Sequence, residues 1–363
     1  MTLSRITALK HKLALLVAAA LPLCTGTANA QLFEFFGFPD IQVQPQQRNQ
    51  VPQATTATDK VEIIYNGLFD YYLDNLEYTN YKRTVIVPSQ TMHAVRLTPE
   101  IGIRINQSQS ISHRIKIGMD AMKNMGDHEW EENAINEITL YYQIDARLPK
   151  AHIQALAGVY PRRYTEGTYG RAFQSDSLKF FDNNLEGFLF KLSTKNFFLE
   201  TGLDWNSKPG LQRERITAFN YEEYRPADWL TLGFTASYTH LGGSSLVRGV
   251  VDNGLIEPFV EFDFSKWVWF DKFSANLGYL QAFQNDRVYI HEFVMPKAAE
   301  LITDIGKWNL GIENTFTYGE NMMPYYHVID KAGNMYGTHV YDGAPYYQMT
   351  SDESARKTPR IYD

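Results

Sequence analysis

The sequence holds a single cysteine, Cys24, in 363 residues. It has no run of 18 or more apolar residues, which excludes membrane-spanning helices. Positive charge is in short supply too: 34 Lys and Arg face 41 Asp and Glu, a formal net charge of −7. Nucleic acid wants a basic face, so no nucleic-acid partner is expected. Contiguous enzyme signatures are also missing. The nine histidines show no His-Glu-x-x-His spacing. There is no Gly-x-Ser-x-Gly elbow, no Walker loop and no Rossmann fingerprint. On motifs alone the chain has no catalytic set, no metal site and no cofactor, and it reads as a non-enzyme.

Residues 1–30 read as a signal peptide. Arg5, Lys10 and Lys12 make a basic start, an apolar run follows from Leu13 to Leu23, and Ala28-Asn29-Ala30 offers a small-x-small cleavage site. Leu23 before Cys24 argues against lipidation. Cleavage after Ala30 would leave no cysteine, and with it no disulfide and no thiolate metal site. It would also remove three positive charges, taking −7 to −10. Residues 31–58 read as a disordered lead-in, with six Gln between Gln42 and Gln53, Pro45 and Pro52, and little to bury.

What the chain does have, from residue 59 to 363, is a period of two. Val95, Leu97, Pro99, Ile101, Ile103 and Ile105 alternate with Arg96, Thr98, Glu100, Gly102 and Arg104. Extended as a strand, such a segment has one apolar and one charged face. Similar rows begin at Ile111, Ile138, Ile153, Phe197, Leu230, Ile256, Phe273 and Trp308, and residues 61–73, 187–193 and 213–221 read as strands too. Runs of this length suit a membrane-crossing strand of roughly 9–11 residues. A repeat of 20–24 residues gives about 12–14 strands, an antiparallel transmembrane β-barrel in a bacterial outer membrane. A soluble β-sandwich is the rival, since alternation alone does not separate lipid from a protein core. The 22 Phe, 23 Tyr and 6 Trp would supply aromatic girdles.

Charge on a lipid face costs roughly 2–4 kcal/mol near mid-bilayer for Arg or Lys. The charged rows are therefore expected to line the lumen: Arg96, Glu100, Arg104, Arg114, Lys116, Asp120, Asp145, Arg147, Glu200, Asp204, Glu257, Glu261, Asp263 and Glu313, with Glu137 beside them. Opposite signs can pair across neighbouring strands. Residues 160–185 break the alternation and read as an external loop or an inward-folded constriction. Asp182-Asn183-Asn184 with Asp176 could offer oxygen ligands, but without the spacing of a calcium loop they read as turn chemistry. A Ser-His-acid set could draw on Ser237, His240, Ser244 or Ser245, although a linear pattern cannot show their contact. His240 ahead of Gly242-Gly243 reads as an interfacial residue at a turn.

Four stretches resemble a porin-like family of outer-membrane barrels from Bacteroidota: residues 173–187 (FQSDSLKFFDNNLEG), 246–253 (LVRGVVDN), 320–326 (ENMMPYY) and 336–347 (YGTHVYDGAPYY). The resemblance covers most of residues 60–363 and implies location and architecture, with no functional residues to carry over. Barrels of that kind usually finish on an amphipathic strand with a terminal aromatic. Residues 351–363 are polar, contain Pro359 and end on Asp363, which suggests that the last strands are lacking. The expected function is a passive channel or porin-like solute-uptake protein, with lumenal charges as conductive lining and small polar solutes as cargo. Its expected partners are outer-membrane lipid and the barrel assembly machinery. The alternatives are a non-conducting scaffold or surface-binding component of an envelope complex and, third, an intramembrane hydrolase using Ser237 or His240.

Overall fold

The computed structural model describes residues 60–76, 90–126, 135–206, 213–244, 249–287, 291–326, 328, 339–344 and 347. The expected leader, lead-in and polar ending lie outside them. The strands are β1 (Val61–Leu76), β2 (Gln90–Asn106), β3 (Ile111–Asn124), β4 (Glu137–Leu148) and β5 (Ala151–Pro161). Next come a short helix α1 (Asp176–Phe181), β6 (Asn184–Ser193), β7 (Phe197–Trp205), β8 (Arg215–Ala227) and β9 (Leu230–Leu241). The series closes with β10 (Val251–Asp263), β11 (Lys272–Asp286), β12 (Lys297–Lys307) and β13 (Leu310–Gly319). They form one 13-stranded sheet in sequence order, each strand antiparallel to the next.

Alternation decides the two faces. On β2, Leu97, Ile101, Ile103 and Ile105 are exposed whereas Arg96, Thr98 and Glu100 are buried. On β4, Ile138, Leu140 and Tyr142 are exposed whereas Thr139, Tyr141, Gln143 and Asp145 are buried. An exposed aliphatic row over a buried polar one is the inverse of a soluble sheet and fits a wall wetted by lipid. The connectors are equally lopsided. Those at 107–110, 149–150, 194–196, 228–229 and 308–309 have two to four residues and 264–271 has eight, while 125–136, 162–183, 206–214, 242–250 and 287–296 at the other end have nine or more. Long connectors mark the external end of an outer-membrane barrel, short ones the periplasmic end.

The sheet curls around its own loops. Connector 162–183 places Phe180 against Tyr72 of β1, with ring centroids 4.3 Å apart, and Arg163 on Glu100 of β2 at 2.8 Å. The same connector donates from the Glu166 and Gly167 amides to Glu200 of β7, at 2.6 and 3.1 Å. Residues 339–344 and 347 add a second layer. The Ser175 amide, at the N-terminus of α1, donates to Asp342 O at 2.7 Å, and Arg215 of β8 pairs with the Asp342 carboxylate. Tyr341 donates to Gln284 of β11 at 2.7 Å, and Tyr347 to Glu300 of β12. Two inserts that together touch β1, β2, β7, β8, β11 and β12 require a wall wrapped around them. Between inserts and wall lies a packed apolar core that includes Tyr169, Phe173, Leu189, Phe219, Leu280 and Tyr325.

Two strands depart from the expected pattern. β12 has no expected counterpart, because Ala299 and Thr303 dilute its outer row and Ile302 puts an apolar residue on the inner one. The row expected to start at Trp308 begins at Leu310; Trp308 is in the turn with φ of 56°.

Candidate functional site

Most of the charged residues singled out in the sequence sit on the inner face, in tight networks. Arg96 donates to Asp120 at 2.9 Å, and Arg104 to Glu62 at 3.1 Å. Glu100 accepts from Tyr141 at 2.7 Å, Arg163 at 2.8 Å and Tyr164 at 2.9 Å, with the Lys116 ammonium 3.8 Å away. Asp145 gathers Arg147 at 3.2 Å, His152 at 3.1 Å and Arg114 at 4.0 Å. Asp204 faces Arg162 at 3.4 Å, and Asn184 donates to Glu137 at 2.5 Å. Glu200 and Glu257 are buried and Glu261 is half-buried, whereas Asp263 and Glu313 are exposed. Asp263 accepts from the Ser265 amide at a periplasmic turn, at 2.8 Å. Asp182 closes α1 and pairs with Arg162 at 3.2 Å, which is turn and capping chemistry. A void at this level, beside Phe173, Ser237 and Gln284, has a volume of about 20 Å³, room for little more than one water.

The outer face carries a different constellation at its external end. His240, next to last on β9, lies directly opposite Asp252, the second residue of β10. Directly opposed residues share a face. That face is the outer one, since the flanking Thr239 and Leu241 are buried and Asn253 donates inward to Val340 O at 3.2 Å. His240 Nδ1 is 2.8 Å from Asp252 Oδ1, which fixes the ring with Nδ1–H toward the carboxylate. The Tyr238 hydroxyl donates to the same oxygen at 2.7 Å. Arg287, just past β11, donates to Asp252 Oδ2 at 2.7 Å. Nε2 of His240 has no partner among the described residues. The row through the pair crosses five strands: Trp205, Ile216, His240, Asp252 and Asn285.

Polar groups on the lipid side are expensive at mid-membrane, but the cost falls to about 0–1 kcal/mol near the interface. The cluster sits where it can be tolerated, and ionisable groups in a membrane wall are candidates for function. The connector leaving His240 is held from both sides. Arg213 donates to Gly242 O at 2.9 Å and Gly249 O at 3.1 Å, and the Arg287 amide donates to Val250 O at 3.0 Å. Ser244 lies in that connector. Ser237 does not join His240: it stands at an odd position of β9 and lines the inner void. Parity alone excludes that pair, because residues three apart on a strand face opposite ways. Asp252 was missed because contact comes from register, 12 residues along the chain. A hairpin centred on residue 246 would have revealed it.

With this geometry in view, the comparisons are informative. The profile described as lipid A 3′-O-deacylase-type matches residues 60–299, about two thirds of the chain, and the chain belongs to that family. No curated protein matches. Among solved structures, in-vitro folded OmpT, an outer membrane protein of Vibrio cholerae in trimer form, is 11% identical. It covers 72% of this chain and 89% of its own, with a TM-score of 0.35. A double mutant of the Rh. blastica porin is 11% identical, covering 71% of this chain and 100% of its own with a TM-score of 0.27. At such scores the fold rests on the ladders themselves. The chain is an outer-membrane β-barrel.

Membership in an enzyme-type family overturns two expectations, the passive channel and the non-enzyme. The physical reason for the first error is the inserts: several of the charges expected to conduct, Glu100 and Glu200 among them, are bonded to residues 162–183, and residues 339–344 pack on the same side. The second expectation rested on contiguous motifs, and residues such as His240 and Asp252 that register brings together across a hairpin leave none.

Proposed function

We propose that this barrel hydrolyses an acyl ester of a lipid A-type saccharolipid in the outer leaflet. One observation carries the reading: a His–Asp pair on the lipid-facing wall at the external rim, with no partner for the imidazole Nε2 among the described residues. The family name supports the substrate class. An ester of an outer-leaflet lipid can reach that wall without entering the barrel.

Asp252 holds Nδ1–H, which leaves Nε2 as the proton acceptor. It takes the proton of the attacking hydroxyl as that oxygen bonds to the ester carbonyl. It then returns the proton to the sugar oxygen as the acyl C–O bond breaks. The hydroxyl enlisted is that of Ser244, since no Ser or Thr occupies the outward positions around His240, and water completes the turnover. Arg287 and Tyr238 hold the carboxylate in place. The phrases shared with porin-like barrels of Bacteroidota support a source in that phylum.

The test is mass spectrometry of lipid A incubated with the purified barrel in micelles. The expected result is free fatty acid and a lipid shortened by one chain, with Ser244→Ala inactive. An intact substrate after prolonged incubation with folded wild-type barrel would sink the proposal.

A further inference from the structure

Inside the barrel, the carboxylates of Glu257 on β10 and Glu300 on β12 act on each other through space although β11 runs between them. The β11 residue paired with Glu300 is Gly278. A Cβ there would stand 2.0 Å from Glu257 Oε1, so only glycine lets Glu257 lie across the intervening strand. The plug closes the space with Gly170, where a methyl group would lie 3.6 Å from Glu300 Oε1 and 3.8 Å from Glu257 Oε2. Both oxygens therefore border the space beside Gly170. Both residues are buried, Glu257 at 6% and Glu300 at 1% exposure. Glu300 Oε2 accepts from Thr317 at 2.9 Å and from Tyr347. Its Oε1 has no hydrogen-bond partner among the described residues, and Glu300 is the charge that acts on Glu257 through space. Arg171 and Glu313 act on Glu300 through space with opposite signs, and the Arg171 guanidinium is itself 3.7 Å from Asp176.

Two like charges out of water are strongly unfavourable, so such a pair must take up either a proton or a cation. The donors are all oxygen, which suits a hard cation and not zinc or copper. We propose that Glu257 and Glu300 bind one hard divalent cation, of the calcium and magnesium class, beneath Gly170, fastening the plug to the β10–β12 wall. The inference stands apart from the His240 site on the opposite face.

The test uses the folded barrel in micelles after chelation, titrated calorimetrically with calcium and separately with magnesium, with thermal unfolding followed in parallel. The expected result is one ion per chain, with Kd no weaker than about 1 mM, the range of extracellular calcium modules. Saturation raises Tm by several degrees. Glu257→Gln and Glu300→Gln each weaken binding at least tenfold, and the double variant unfolds at a temperature the ion does not change. Absence of binding by wild type, or binding undiminished in the double variant, overturns the proposal. Should the double variant fail to fold, the wild-type stoichiometry and the single variants still decide.

Discussion

His113 and His240 both face lipid, at opposite ends of the same wall, and their surroundings differ in one respect that matters for chemistry. His113, at the periplasmic end of β3, has both ring nitrogens engaged: Nδ1 with the Tyr142 hydroxyl at 2.5 Å and Nε2 with Gln107 Oε1 at 2.6 Å. His240, at the external end of β9, has a carboxylate on one nitrogen and nothing described on the other. A third outward histidine, His93 on β2, shares the external end but meets Tyr71 at 2.7 Å and no carboxylate among the described residues. The periplasmic end is otherwise an anchor. Trp308 stacks edge-on to Trp269 at 5.7 Å, Trp229 lies over Phe262 at 6.2 Å, and Phe264 touches Phe273 at 5.5 Å. Such rings belong at a membrane interface. Both ends thus tolerate polar groups against lipid, but only the external one leaves a base free.

The comparison can be broken by mutation. The largest effect is expected for His240→Ala, a loss of about 10²–10⁴ in fatty-acid release from lipid A, the usual contribution of a general base. Asp252→Asn should follow, with kcat reduced while KM for the lipid changes little, because the tautomer is lost and the surface is not. The lumen supplies an intermediate case. Wild-type barrel should carry no sustained current in a planar bilayer, whereas Glu200→Ala frees the 166–169 stretch and should admit fluctuating conductance. Steady steps from wild type would contradict a filled lumen. Tyr238→Phe removes one of the donors to the Asp252 carboxylate and is expected to cost about tenfold, as a hydrogen bond to a charged group is worth about 1.5–3 kcal/mol and Arg287 still holds the carboxylate. The smallest effect on activity belongs to His113→Ala. It should leave deacylation unchanged while lowering stability in urea by about 1–3 kcal/mol through two lost hydrogen bonds.

The wall was legible in the sequence wherever lipid wets one face and polar groups line the other, as on β2, β3 and β4. It blurred where the inserts pack. There the inner row turns apolar, as at Val251 and Leu255 on β10 or Leu280 and Ala282 on β11, and the contrast between faces that marks a strand disappears. For the same reason β10 begins at Val251 and not at Ile256. The site was half legible. His240 was noticed, but beside Ser237, which parity sends to the lumen. Its true neighbour Asp252 sat in a segment whose pattern the plug had scrambled.

The orientation of β9 is the point on which the reaction depends, and site-directed spin labelling reads it most directly. On a cysteine-free background, nitroxides are placed in two separate variants, His240→Cys and Ser237→Cys, and their collision rates with oxygen are measured in lipid bilayers. The label at 240 should be readily reached by oxygen dissolved in the membrane, and the label at 237 should be shielded. A label at 237 that meets lipid-borne oxygen while one at 240 does not would place the histidine inside the barrel and contradict the account.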